Sequence, residues 1–259
     1  MIHPLNPPIK SWAGKRVWLV GASSGIGAAL AQSLLEAGAW VTISARRQEV
    51  LETLAQHHPH AHVVAFDASD ARAWPEAFEQ TLAAMGHIDL VVFGAARYDP
   101  THSWELDLDQ VQKSYDLNVV GVYRGVALLV PYFLKRGEGA LALIASISAY
   151  TGLPKAMIYG ATKAALNNMA QTLYFELRSK GISVYLINPG FVETPMTAVN
   201  DFEMPGLMKP KDAAHAIVAG FERGDFEIRF PRGFAGALRW ISFLADRLRF
   251  PLLHKITKL

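Results

Sequence analysis

Short apolar runs alternate along this chain with longer stretches in which apolar residues recur every three or four positions. The runs near 17–20, 40–45, 62–66, 88–93, 140–145, 182–187 and 226–230 predict buried strands. The periodic stretches near 25–37, 47–57, 71–85, 109–135, 155–180 and 210–223 predict helices. Strands alternating with helices make βαβ units, so the pattern predicts an α/β fold with a doubly wound parallel sheet and helices on both faces. The whole chain, 1–259, reads as one domain, with a Pro-rich flexible lead-in over 1–14 and a tail over 231–259.

The first strand, Val17-Trp18-Leu19-Val20, runs into Gly21-Ala22-Ser23-Ser24-Gly25-Ile26-Gly27 and then a helical pattern ending at Gly38. Strand, glycine turn and helix together form the context that a dinucleotide fingerprint requires. Gly21 can make the tight turn, while Gly25 and Gly27 let backbone approach a pyrophosphate and let the helix pack close. The unpaired N–H groups and positive dipole end of that helix suit phosphate oxygens.

Tyr159 and Lys163 stand four residues apart, and Ser146 lies thirteen residues before the tyrosine. Residues four apart share a helix face, so a phenol and an ammonium project into one site. A positive charge about 5 Å away, at an effective dielectric of about 20, favours phenolate by roughly 3 kcal/mol, about two pKa units. That would make the tyrosine a usable acid–base group, with Ser146 or Ser148 able to hydrogen-bond a reacting oxygen.

The glycine spacing, Tyr-x-x-x-Lys and the upstream serine resemble the short-chain dehydrogenase/reductase family in its compact single-domain branch, over about Lys15 to Phe230. The resemblance implies a Rossmann-like sheet of about seven strands in the order 3-2-1-4-5-6-7. It implies a catalytic set of Asn118, Ser146, Tyr159 and Lys163. In that set Lys163 also holds the nicotinamide ribose, and Asn118 positions a water linking Lys163 to solvent. It places Asp67 against the adenine and Pro189, Gly190, Val192 and Thr194 beside the nicotinamide. Cofactor contacts are then expected from Gly21, Ser23, Ser24, Gly25, Ile26, Gly27, Arg46, Asp67, Ala95, Asn118, Tyr159, Lys163 and that loop. Two stations depart from the family pattern. Val20 replaces the usual Thr, and Phe93-Gly94-Ala95-Ala96 replaces Asn-Asn-Ala-Gly. Both bear on sheet packing, because neither removes a proton-transfer group.

The expected activity is an NAD(P)-dependent interconversion of a carbonyl and an alcohol; a dinucleotide-sensing protein without turnover is the alternative. An epimerase or dehydratase would resemble the family's longer branch. The second strand ends in Ser44-Ala45-Arg46-Arg47, with no carboxylate to read a ribose 2′-hydroxyl and an arginine able to pair with a 2′-phosphate, so NADP(H) is expected over NAD(H). Met157, Phe191, Met196, Phe202, Met204, Leu207 and Met208 fall where the family builds its substrate pocket, which suggests an apolar substrate.

Composition adds limits. With no cysteine among 259 residues, disulfides and thiolate catalysis are excluded. The chain opens without a signal-like leader, no uninterrupted apolar run reaches membrane-span length, and the net charge of +2 gives no support for nucleic-acid binding. A cytoplasmic enzyme is expected. His57, His58, His60 and His62 read as polar linker residues rather than a metal site, and Asp225 and Glu227 as a solvated turn. The resemblance implies a homodimer, with a homotetramer as the larger assembly, through the helices of Asn118 and Tyr159. Val122, Val126, Leu129, Phe133, Leu166, Met169, Leu173 and Leu177 recur there at helical spacing. From Arg229 onward the chain holds seven Lys/Arg and one Asp, net +6 against −4 for the rest. Interleaved with Trp240, Phe243, Leu248 and Phe250, these charges suit a peripheral membrane contact or a cap on the domain.

Overall fold

Strand β1, Arg16–Val20, is an interior strand of the sheet, and its alternating side chains seed both halves of the core. Val17 and Leu19 pack with Leu30, Leu34, Ile217 and Phe221 on one face. Trp18 and Val20 pack with Trp74, Phe133 and Leu166 on the other. A strand buried on both faces reads as a continuous apolar run, as this one does. The structure, a computed structural model, describes residues 3–257.

The other strands are β2 (Trp40–Ser44), β3 (Ala61–Val63), β4 (Leu90–Phe93), β5 (Gly139–Ile144), β6 (Ile182–Pro189) and β7 (Glu227–Phe230). All pair in parallel in the order β3-β2-β1-β4-β5-β6-β7. The helices are α1 (Gly25–Glu36), α2 (Gln48–Ala55), α3 (Ala73–Met85), α4 (Leu108–Tyr115), α5 (Gly121–Arg136), α6 (Met157–Leu177) and α7 (Pro210–Arg223), followed by α8 (Arg232–Ile241) and α9 (Asp246–Thr257). The doubly wound order places the C-terminal ends of β1 and β4 at the topological switch point, where α/β sheets bind ligands.

The long helix expected over 109–135 is interrupted. A π-turn over Asp116–Val120 joins α4 to α5 and contains Asn118. Measured by length and composition alone, the continuous run Leu108–Arg136 could cross a membrane. Its Val122, Leu129 and Phe133 face is instead buried against the sheet. Phe93, the replacement at the family's Asn position, packs against Trp74, and Gly125 makes room for both rings.

From residue 3 onward, the lead-in expected to be flexible is tied down. Asn6 is buried and exchanges side-chain hydrogen bonds with the backbone of Val184, while Trp12 packs edge-on against Phe221. The histidine stretch is also not simply solvated, since His60 and His62 stack on Trp40. The tail folds back as a partial cap, with Ala235, Leu238 and Leu253 buried against Ile147. Trp240, Phe243, Leu248 and Phe250 face outward. Lys258, counted in the tail's charge, lies outside the described residues.

Candidate active site

A cleft of about 320 Å³ opens at the C-terminal ends of β1, β2, β4, β5 and β6. Every residue assigned from sequence to the cofactor or to chemistry lines it except Asn118. Gly21 and Gly25 adopt left-handed backbone, at φ of 100° and 56°. A Cβ on Gly21 would meet the Ala95 nitrogen at 2.2 Å, and one on Gly27 the Gly21 carbonyl oxygen at 2.1 Å. The turn is therefore built of glycine because backbone fills the space beside it. A Cβ on Gly25 would stand 2.8 Å from the Thr194 methyl, so the glycine turn and the loop after β6 face one another closely.

Ser24 begins α1 without a side-chain cap, and the first turn has no acidic residue, which leaves the helix's N–H groups and positive end toward the cleft. Arg46, Arg47 and Lys163 line the same cleft, with Asp67 the one carboxylate among its lining residues. The lining thus fits a pyrophosphate-bearing group. Arg47 donates to the Ser23 hydroxyl at 3.0 Å. Arg47 was not singled out from the sequence, although it is the arginine that reaches back to the glycine turn.

Ser146 is carried to the cleft by β5, and Tyr159 and Lys163 by the first two turns of α6. Ser146 caps a short 3-10 turn, Ile147–Ala149, and its hydroxyl accepts from the Ser148 N–H at 3.1 Å. Ser148 does not line the cleft, so location distinguishes the two serines. The Lys163 ammonium stands 5.5 Å from the centre of the Tyr159 ring and donates to the Ile144 carbonyl at 2.7 Å.

The electrostatics correct the expectation drawn from the Tyr159–Lys163 spacing. Burial raises the Tyr159 phenol well above its ordinary value; a hydrogen bond with Ser146 opposes this, and Tyr98 adds to it. Burial pushes Lys163 down to about 7. Desolvation therefore outweighs the pairwise attraction within the protein's own groups, because both partners lose water together.

Asn118 is fully buried beneath the site. Its carbonyl oxygen accepts from the Arg97 N–H at 2.7 Å, and its amide donates to the Arg97 carbonyl and the Thr162 hydroxyl at 2.9 and 3.1 Å. It ties the loop after β4 to α6, and both amide hydrogens are committed to that tie. Tyr98, beside Arg97, packs edge-on against Tyr159 at 4.9 Å and donates to Asn200. Nothing in the local sequence around Tyr98 signalled that contact, which depends on how the loop returns across α6.

Glu227 is not part of a solvated turn. Its carboxylate accepts from the Asn188 amide and the Tyr150 hydroxyl. Asp225 pairs with Arg223 at 2.7 Å.

Residues 15–203 match the short chain dehydrogenase family. The chain belongs to that family. An uncharacterised oxidoreductase of Myxococcus xanthus is 34% identical over 234 residues, covering 89% of this chain and 92% of its own. An uncharacterised oxidoreductase of Staphylococcus epidermidis is 32% identical over 201 residues, covering 77% of this chain and 87% of its own. Among solved structures, the 3-ketoacyl-(acyl-carrier-protein) reductase of Brucella melitensis complexed with NADH superposes with a TM-score of 0.81 at 27% identity. That match covers 87% of this chain and 100% of the reductase. A short chain dehydrogenase of Burkholderia cenocepacia in complex with NADP shares the fold at 24% identity and a TM-score of 0.81, covering 96% of this chain and 99% of its own. This short-chain dehydrogenase is an oxidoreductase, and the Brucella and Burkholderia neighbours hold NADH and NADP respectively.

Proposed function

We propose that the protein interconverts a carbonyl and an alcohol with a nicotinamide dinucleotide, preferring NADP(H), and that Tyr159 is its acid–base group. The observation that carries this reading is that Ser146, Tyr159 and Lys163 line the same cleft as the uncapped glycine turn and α1. Gly21, Ser23, Ser24, Gly25, Ile26 and Gly27 would hold the pyrophosphate. Asp67 would hold the adenine side, and Ala95, Pro189, Gly190, Val192 and Thr194 the nicotinamide side. The dinucleotide supplies or takes up hydride when bound.

The chain's own residues do the rest. The Ser146 hydroxyl orients the substrate oxygen and stabilises charge developing on it. Tyr159 gives its proton to that oxygen in reduction and takes it back in oxidation. Lys163 in its charged form lowers the tyrosine's pKa, and dinucleotide phosphates and ribose hydroxyls favour that form. Asn118 anchors α6 against the loop after β4, so the tyrosine and lysine are presented on a fixed helix; the water it was expected to position stays part of the proposal. A pure sensor would have no need for all four groups.

For cofactor preference, Ala45 leaves no carboxylate at the end of β2, and Arg46 and Arg47 both line the cleft where a 2′-phosphate would lie. We also propose a homodimer through α5 and α6, and contact of the outward tail face with an anionic membrane surface. Cofactor oxidation assayed across a panel of aldehydes and ketones tests the activity. Turnover of at least one carbonyl is expected, and dinucleotide binding with no turnover across the panel would leave the sensing alternative.

A further inference from the structure

Ser146 stands at the edge of a buried hydrogen-bond chain that the proposed reaction does not use directly. Its backbone N–H donates to the Asn188 side-chain oxygen at 3.2 Å. Asn188, on β6, is fully buried, and its amide donates to Glu227 at 2.8 Å. A carboxylate only accepts, so this contact fixes which way the Asn188 amide points and leaves its oxygen toward Ser146. Tyr150, at the other end of the 3-10 turn that Ser146 begins, donates its hydroxyl to the same Glu227 oxygen.

Both ends of the serine turn therefore hang on one carboxylate, one through Asn188 and the other through Tyr150. The second Glu227 oxygen pairs with Arg229 at 3.2 Å and with Arg239 of α8 at 3.5 Å. The Arg239 guanidinium also lies over the Tyr150 ring, 5.2 Å from its centre. The Glu227 side chain is 15% exposed, so its two arginines offset a desolvated charge. Burial and then Glu227 push the Tyr150 phenol far above its ordinary value, which keeps it a donor. Neither Glu227, Asn188 nor Tyr150 lines the cleft.

We propose that Glu227 is a positioning residue for Ser146, and that Arg239 makes the tail helix α8 part of the frame that holds the serine. The inference rests on the function proposed above. Its consequence is specific, because the Ser146 hydrogen bond lowers the Tyr159 pKa against the rise that burial causes. Loosening the serine turn raises that pKa and misplaces the hydroxyl, and a misplacement of about 1 Å can cost about 10²-fold in rate.

The experiment uses the full chain, with saturating NADP⁺ for the titration and saturating NADPH for turnover. The ultraviolet absorbance of tyrosinate, taken as the difference between each background with and without Tyr159→Phe, reads the Tyr159 titration. Turnover is read on the panel carbonyl reduced fastest. Glu227→Ala is expected to raise the Tyr159 pKa by about one unit and lower kcat about 10–100-fold, with NADP⁺ affinity held within about twofold. Glu227→Gln keeps an oxygen for Asn188 and Tyr150 and restores most of the rate. Tyr150→Phe and Arg239→Ala, which leave Asn188 paired, shift the titration the same way by less; they decide the matter if Glu227→Ala does not fold. A folded Glu227→Ala with wild-type titration and kcat overturns the inference, as does wild-type behaviour of both weaker variants. Inactive Tyr159→Phe beside an unshifted Glu227→Ala overturns this inference alone. Active Tyr159→Phe overturns the proposed function, and Ser146 amide exchange then decides positioning: faster exchange in Glu227→Ala supports it, unchanged exchange refutes it.

Discussion

Lys163 stands 5.5 Å from the Tyr159 ring centre yet spends its ammonium on the Ile144 carbonyl, in a position where burial pushes its pKa down to about 7. Near neutral pH it is therefore poised between charged and neutral. An anionic dinucleotide with ribose acceptors favours the charged form, so binding should take up protons at and above pH 7, until the ordinary lysine value is approached. Calorimetry of NADP⁺ binding in buffers of differing ionisation enthalpy should show uptake approaching one proton per site, lost in Lys163→Met. The same depressed pKa has a stability sign. The unfolded chain holds this proton to higher pH than the folded one, so the Lys163 contribution to stability rises with pH from about 7 up to the ordinary lysine value and stays flat, at its lowest, below about 7. Lys163→Met should flatten that rise. Proton uptake equal in both proteins would contradict the assignment.

The two arginines after β2 should set cofactor choice. Arg46→Ala and Arg47→Ala should each raise the Michaelis constant for NADPH about 10–100-fold, the loss of about 1.5–3 kcal/mol of charge-assisted hydrogen bonding. The constant for NADH should change by less than about threefold. Arg47→Ala also removes the tie to Ser23, so it should have the larger effect. Equal Michaelis constants for the two cofactors in the wild type would refute the preference.

The dimer should form through the outward faces of α5 and α6. Val122, Leu129, Phe133, Leu166, Met169, Leu173 and Leu177 are buried in the sheet core, which leaves Tyr123, Leu134, Met157 and Phe175 on the free faces. Light scattering should give a dimer at micromolar concentration, shifted toward monomer by Tyr123→Asp with Phe175→Asp. A wild-type monomer would count against it.

The outward face of the tail should bind anionic vesicles weakly. Trp240 is 75% exposed and Phe243 66%, with Arg232, Arg247 and Lys255 exposed nearby in the chain. Each basic residue near an anionic surface adds about 1 kcal/mol. Cosedimentation with phosphatidylserine vesicles at low salt is expected, lost at high salt and lost in Trp240→Ser with Phe243→Ser. No pelleting of the wild type at low salt would leave the tail as a cap alone.

The sheet was legible because most strands announce themselves by a short apolar run, while β7, Glu227-Ile228-Arg229-Phe230, shows itself only by alternation. The glycine turn was legible because its spacing is local. Interruption of the long helix at Asn118 was not, because the side-chain bonds to Arg97 and Thr162 that accompany it span the fold. Likewise, apolar spacing on α5 and α6 shows that a face is buried without saying against what. Glu227 looked like surface because its partners, Asn188, Tyr150 and Arg239, come from three other elements. The Tyr159–Lys163 spacing puts both groups on one helix face, and both line the cleft, but it does not show the shared desolvation that burial imposes.

Tyr159→Phe tests the central claim most directly. The ring can still pack against Tyr98 while the titrating hydroxyl is gone, so NADP(H) affinity should stay within about threefold. Turnover of the best panel carbonyl should fall by about 10²–10⁴-fold. A variant that binds NADP(H) normally and keeps more than about a tenth of the wild-type rate would contradict the assignment of Tyr159 as the acid–base group.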